Sequence, residues 1–309
     1  MPRVPLPPSI RVIERGWLNS NQVVMLAPRD NVVVDSGYCT HREETLELLA
    51  SRAGLDRQPL ERLVNTHCHS DHMGGNAAIA SAYGCRITIP AGEAKHIDPW
   101  TPQSAWMAEF DQRADPFRFD DTIAAGASFE GGGYQWQAHA APGHDMDALM
   151  FFEPANRILI SGDALWENGM GFVWPEEGAN PYVAAAREAL ATIESLDPAV
   201  VIPGHGEPFA DAKGAIRRVR EKLDAFERDP AKNARHALKV MFVFALLERQ
   251  AMPVEEVAAY VGRVPFYAKL SKRFLGLAPK ALADWLVADL ERTRAVAVTE
   301  GLVRPTMAA

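Results

Sequence analysis

The sequence predicts an α/β protein, with a layered catalytic domain over residues 1–229 and a small, mainly helical domain over residues 230–309. Three observations point there. Short β-like runs and helical patterns interleave as far as residue 228. Beyond Asp229-Pro230 the pattern turns to helices closed by one hairpin. And 309 residues exceed a single domain of ordinary size.

Element by element, Ile10–Ile13, Gln22–Leu26 and Asn31–Asp35 read as neighbouring strands bounded by turn residues. Thr40-His41-Arg42-Glu43 has the form of a capping box, with Leu46, Leu49, Ala50 and Ala53 at helical spacing and Gly54 as the stop. Leu60–Asn65 is a strand that delivers the chain to Thr66-His67-Cys68-His69-Ser70-Asp71-His72-Met73-Gly74-Gly75. There the two glycines are expected to let the backbone turn tightly into the next helix. That helix is Asn76–Tyr83, ended by Gly84, and a strand follows at Cys85–Pro90. Residues 91–120 are irregular and carry large side chains, among them Trp100 and Trp106. Strands follow at Tyr134–Ala140, Ala148–Phe152, Arg157–Ser161 and Ala199–Ile202, with a helix at Pro181–Leu196 that has proline in its first turn. In the tail, Ala234–Arg249, Val254–Val261, Pro265–Leu275 and Pro279–Arg294 are helical, and residues 295–303 form a two-stranded wing turning at Glu300-Gly301. Helices plus hairpin suggest a winged-helix-like unit.

Composition bounds the function. With 48% hydrophobic and 23% charged residues, the chain can build a sizeable core. No apolar run approaches the ~20 residues that cross a bilayer, and the first residues lack the apolar stretch of a signal peptide, so a cytoplasmic protein without a membrane partner is expected. Cys39, Cys68 and Cys85 show no C-x-x-C spacing, which leaves metal ligation to histidine and carboxylate. The net charge of −8 is uneven: residues 231–309 hold 12 Lys and Arg against 7 Asp and Glu, leaving 20 against 33 for residues 1–230. An acidic main domain disfavours general binding to a phosphate backbone.

The chemistry concentrates in H-x-H-x-D-H directly after a strand. Residues two apart on an extended loop project the same way, so His67 and His69 can share one ion while Asp71 and His72, past the turn, address a second about 3.5–4 Å away. Cys68, between two ligands, points the opposite way into packing. Isolated histidines, namely His41, His96, His139 and His236, are read as structural.

These residues resemble the metallo-β-lactamase superfamily, whose hallmark is this loop. Further matches stand in the family's order: Val34-Asp35-Ser36-Gly37 upstream, then Ala141-Pro142-Gly143-His144, Ile160-Ser161-Gly162-Asp163-Ala164 and Ile202-Pro203-Gly204-His205-Gly206. The resemblance implies an αββα sandwich with metals at one edge of the sheets. It implies one metal on His67, His69 and His144, a second on Asp71, His72 and His205, and Asp163 bridging both. Asp35 is expected to organise the site rather than ligate. Asp145 stands where many thioesterase-like relatives carry threonine, which leaves the partner of His144 open.

Two divalent ions are therefore expected, zinc first, with iron or manganese compatible with the same ligands. Two cations sharing a water lower its pKa from 15.7 towards ~7; the resulting hydroxide attacks the scissile centre, and Asp71 orients or shuttles the proton. Trp166, Phe172 and Trp174, after the Asp163 motif, are the expected substrate-binding residues, with Trp100 and Trp106 as further candidates for an apolar wall. The expected reaction is hydrolysis of an ester, thioester, lactone or amide in a small, partly apolar molecule. Two alternatives stand beside it: a nuclease or phosphodiesterase using the basic tail on nucleic acid, and a mono-iron sulfur dioxygenase. A homodimer is compatible with the tail.

Overall fold

The computed structural model of the chain describes residues 4–101 and 104–307. Six strands form one sheet in sequence order: β1 (Ile10–Ile13), β2 (Gln22–Met25), β3 (Val32–Val34), β4 (Arg62–Val64), β5 (Arg86–Pro90) and β6 (Asp121–Ile123). The first three pair antiparallel, and β3 to β6 run parallel. A second sheet has the order β11-β10-β9-β8-β7, built from β7 (Ser128–Gly131), β8 (Tyr134–Ala140), β9 (Leu149–Glu153), β10 (Ile158–Gly162) and β11 (Val200–Pro203). Its strands are antiparallel except for the parallel pair β10 and β11.

Side-chain alternation explains why the two sheets stack. On β2, Val23 and Met25 enter the apolar cluster between the sheets, with Trp136, Phe151, Ile160 and Ile202 from the second sheet. Val24 enters a different cluster, packed with Leu49, Met73 and Ile79 under the helices Arg42–Ala50 and Asn76–Tyr83. On the far side of the second sheet, Met150, Phe152 and Leu159 pack against Val183, Leu190, Val219 and Leu223 of the helices Pro181–Leu196 and Ala212–Arg228. Strands covered on both faces read as continuous apolar runs, as Val32–Val34 does. The result is the expected αββα sandwich.

Past Asp229, the helices Pro230–Arg249, Val254–Arg263, Pro265–Leu270 and Pro279–Arg292 share another apolar cluster with a small sheet. That sheet orders β12 (Met252–Pro253), β14 (Leu302–Pro305) and β13 (Val296–Thr299), and Glu300 and Gly301 turn the hairpin with positive φ. Phe110, Phe172 and Trp174 from the sandwich side pack against this cluster.

Several local readings are corrected. The capping box at Thr40 does not form, because Cys39–His41 is already a 3-10 turn and the Arg42–Ala50 helix begins on His41 without a side-chain cap. That helix also stops at Ala50, before Gly54. Gly74 and Gly75 have ordinary negative φ and are not there to make a sharp turn. They allow close approach, since a Cβ on Gly75 would lie 2.3 Å from the Ser36 carbonyl oxygen. The helix Ala212–Arg228 and the strands β6, β7 and β12 escape the pattern reading. The helix hides behind its many charges, and the strands are two to four residues long.

Of the isolated histidines, His236 is held inside the fold with its ring 5.4 Å from Phe226. Burial, with help from Lys222 and Lys239, pulls its pKa down from 6.5 to about 3. An unfolded chain then binds the extra proton between those two values, so stability is lost as pH falls through that window. His236→Gln is expected to flatten the dependence of urea-unfolding free energy on pH below 6.5. Parallel wild-type and variant curves would refute the assignment.

Candidate metal centre

Five loops bring the chemistry together, each leaving the C-terminal end of a strand. β3 delivers Asp35, β4 delivers His67 to His72, β8 leads to His144, β10 ends beside Asp163, and β11 ends two residues before His205. These ends meet on one edge of the sandwich because the parallel strands of both sheets point the same way there. The loops are tied together by backbone and amide bonds. Asn21 donates through Nδ2 to the carbonyls of Pro203 (3.0 Å) and Gly206 (2.7 Å), fixing the His205 turn. Asn65 donates to the His72 carbonyl at 3.0 Å, fixing the turn of the His-rich loop.

The seven expected ligands converge as two groups. One comprises His67, His69 and His144; the other comprises Asp71, His72, Asp163 and His205; within each group the candidate donor atoms lie within 4.8 Å of one another. Asp163 faces both, its Oδ1 being 3.3 Å from His72 Nε2 and its Oδ2 3.4 Å from His144 Nε2. His69 turns Nδ1 towards His144 Nε2 at 2.9 Å. His205 Nε2 stands 3.1 Å from Asp71 Oδ2. Two buried nitrogens, His67 Nε2 and His72 Nε2, have no hydrogen-bond partner. A buried polar atom left so costs about 1–3 kcal/mol, and a cation at each group would remove that cost. Five imidazoles and two carboxylates suit zinc, iron or manganese, so the residues present fit divalent ions.

Residues 15–205 match the metallo-beta-lactamase superfamily. The chain belongs to this superfamily. Among its relatives, a hydroxyacylglutathione hydrolase of Hyphomonas neptunium is 31% identical over 115 residues, 37% of this chain and 38% of the relative. Another of that name, from Brucella anthropi, is 27% identical over 187 residues, 60% of this chain and 59% of the relative. The chain thus spans between about two fifths and three fifths of the length of these curated relatives. A beta-lactamase domain protein from Burkholderia ambifaria has a similar fold, with a TM-score of 0.59 at 19% identity, covering 99% of this chain and 94% of that one. So has a metallo-beta-lactamase family protein from Thermus thermophilus, with a TM-score of 0.57 at 18% identity over 97% and 99% of the two chains.

Around the two donor groups of this superfamily member stands a shell that the sequence only partly disclosed. Asp35, at positive φ, accepts from the Thr66 N–H and hydroxyl, both at 2.8 Å, and lies 2.8 Å from His72 Nδ1. It holds His72 in place and stands outside both donor groups. The partner of His144 Nδ1 is the Phe172 carbonyl at 2.7 Å. Asp145 instead serves His69, with Oδ2 3.4 Å from Nε2. Behind Asp145 lies Glu93, which motif reading missed; burial and then Asp145 push its pKa well up. Cys68 is packed away from the ligands, as alternation required, and its N–H donates to Glu93 at 3.2 Å.

Charge balance follows from proximity. Burial opposes ionisation of Asp163, yet His72 and His205 outweigh it and hold its carboxyl well below the usual range. Asp71 is lowered in the same way, by His72 and His205 against burial. Burial, followed by His144, lowers His69 to about 4, and burial followed by His72 lowers His67 well below the usual imidazole range, which favours the neutral rings that can ligate.

A cavity of about 650 Å³ opens from the cluster. Trp166, Phe172 and Trp174 all line it, and Trp166 Nε1 donates to Asp163 Oδ1 at 3.2 Å. Trp106 also lines it, whereas Trp100 does not: half-buried, its ring packs on Phe117, 5.9 Å away, against the core. Trp17 was missed, standing outside every motif. Its ring stacks on His205 at 5.6 Å with 7° between the planes.

Two substitutions test this shell. Asp35→Asn removes the acceptor that fixes His72 and is expected to weaken metal retention about 10–100-fold in chelator competition. Gly204→Ala puts a Cβ 2.4 Å from Asp163 Oδ1 and should lower the metal content found by elemental analysis. Wild-type metal retention in both variants would show that neither contact shapes the site.

Proposed function

We propose that the chain is a hydrolase that uses two divalent cations, zinc by preference, to cleave the ester, thioester, lactone or amide bond of a small, partly apolar molecule. The observation that carries this is the convergence of seven donors into two adjacent groups joined by Asp163. The hydroxyacylglutathione hydrolases among the relatives support hydrolytic chemistry.

His67, His69 and His144 would hold one ion, Asp71, His72 and His205 the other, and Asp163 both. Bound there, such ions supply Lewis acidity and a water of lowered pKa. The chain's own groups do the rest. Asp71, kept ionised by its histidine neighbours and facing the cavity, is placed to take a proton from water and pass it to the leaving group. Asp145 and the Phe172 carbonyl fix the tautomers of His69 and His144. Trp166, Phe172 and Trp174 exclude water and bind the apolar part of the substrate.

Residues 230–309 serve in this reading as a helical, winged-helix-like unit that closes the cavity, and not as a nucleic-acid arm. Several of their basic side chains are engaged with the acidic sandwich, Lys269 with Glu109 (2.7 Å), Arg249 with Asp111 (2.7 Å) and Arg273 with Glu176, and others pair within the tail, as Lys239 does with Asp289. No helix among the described residues is long and apolar enough to cross a membrane.

The metal-loaded protein, assayed on a panel of small esters, thioesters and lactones, should turn over at least one of them, and His69→Ala should lose at least 10²-fold in kcat/KM. Elemental analysis should find two ions per chain. Turnover no better than the variant's, or a single iron per chain, would reject the proposal.

A further inference from the structure

The cavity is far more apolar than cleavage of a polar metabolite requires. Four of the five large apolar side chains that stand exposed among the described residues, Trp17, Trp106, Met146 and Met307, line this one opening. Exposed apolar groups gathered at one place mark a binding surface, whereas scattered ones do not. The wall across from the metal ligands comes from the helix Pro230–Arg249, where Val240, Val243, Phe244 and Leu247 follow at spacings of three, one and three residues. That spacing sets them in one stripe. Val240, Val243 and Phe244 remain half-buried, with one side presenting carbon to the cavity, while Val243 and Phe244 also pack against the small core cluster that holds Leu247.

Charge narrows the ligand further. The carboxylates lining the cavity are Asp71, Asp145, Asp147 and Asp163, and the single Lys or Arg among its described lining residues, Lys239, is 2.8 Å from Asp289. Two divalent ions would offset Asp71 and Asp163 but would leave no free cation along the stripe. A glutathione moiety, with its two carboxylates, or a phosphorylated carrier finds no partner there. An uncharged hydrocarbon chain does. Val240 to Leu247 spans about 10 Å at helical rise, the length of a chain of about eight carbons.

We infer that the substrate is an ester or thioester of a long, uncharged aliphatic acyl group, whose chain lies along the stripe from Val240 to Leu247 while its carbonyl faces the His and Asp cluster. The inference rests on the hydrolase reading above and adds the substrate class.

The test is a series of 4-nitrophenyl esters from acetate to decanoate, given to the metal-loaded full-length protein beside an α-hydroxyacyl glutathione thioester. Specificity kcat/KM should rise about two- to fourfold per added methylene until the chain reaches about eight carbons, and the glutathione thioester should fall below the octanoyl ester. Val243→Trp, which fills the stripe, should move the optimum to shorter chains. Octanoate should quench tryptophan fluorescence saturably where acetate does not, a readout independent of turnover.

A flat chain-length profile, or preference for the glutathione thioester, overturns the inference while leaving the hydrolase reading intact. No turnover of any ester overturns the hydrolase reading instead. Saturable octanoate binding would in that case still support the apolar acyl site, and its absence would overturn that as well.

Discussion

Seven titratable side chains packed into one buried corner repel or starve one another unless their charges and protons are fixed from outside. That constraint organises the rest of the molecule. Asp71 and Asp163 are held ionised because His72 and His205 stand against them, while burial and then neighbouring imidazoles, His72 for His67 and His144 for His69, disfavour protonation of His67 and His69. Three imidazole nitrogens of the cluster, His67 Nε2, His72 Nε2 and His205 Nδ1, are left buried without a hydrogen bond. The fold tolerates such a corner because every loop entering it is held at a strand end and braced by a bond to its back, as Asp35 braces His72 and the Phe172 carbonyl braces His144.

The same need for bracing explains where glycine occurs. Gly204 leaves Asp163 and His72 the room they occupy, and Gly171 does so for His144, where an added Cβ would sit 2.4 Å from the ring. Gly74 and Gly75 let the His-rich loop lie against Ser36 and Cys39, so the strand carrying Asp35 can reach the ligands it supports. Close approach, more than freedom of φ, is what these positions supply.

The helical C-terminal part makes the site a cavity. Without the face of Pro230–Arg249, Phe172 and Trp174 would open to solvent; with it, they form an apolar chamber beside a polar cluster. A metal group exposed to bulk water is a weaker electrostatic device than one in a shielded pocket, because water screens the field the ligands set up. Ion pairs between the two parts, such as Lys269 with Glu109 and Arg249 with Asp111, take up part of the tail's positive charge. Being exposed, they align the parts more than they stabilise them.

The sequence by itself determined an α/β class, the order of its longer strands and helices, and His67, His69, Asp71 and His72, because apolar periodicity and the H-x-H-x-D-H spacing are local properties that survive in one dimension; the αββα sandwich and the places of His144, Asp163 and His205 came from the family resemblance carried by the further motifs. It also placed Cys68 in the core and Asp35 beside the site. What only tertiary structure decided is the set of contacts between residues far apart in the chain: Asp145 beside His69 rather than His144, Glu93 behind Asp145, Trp17 stacked on His205, Trp100 turned onto Phe117 and away from the cavity, and one helix face from beyond residue 230 lining the cavity. No spacing rule encodes these, since each depends on how two sheets and a helical tail pack, and packing responds to the shape of the whole chain at once.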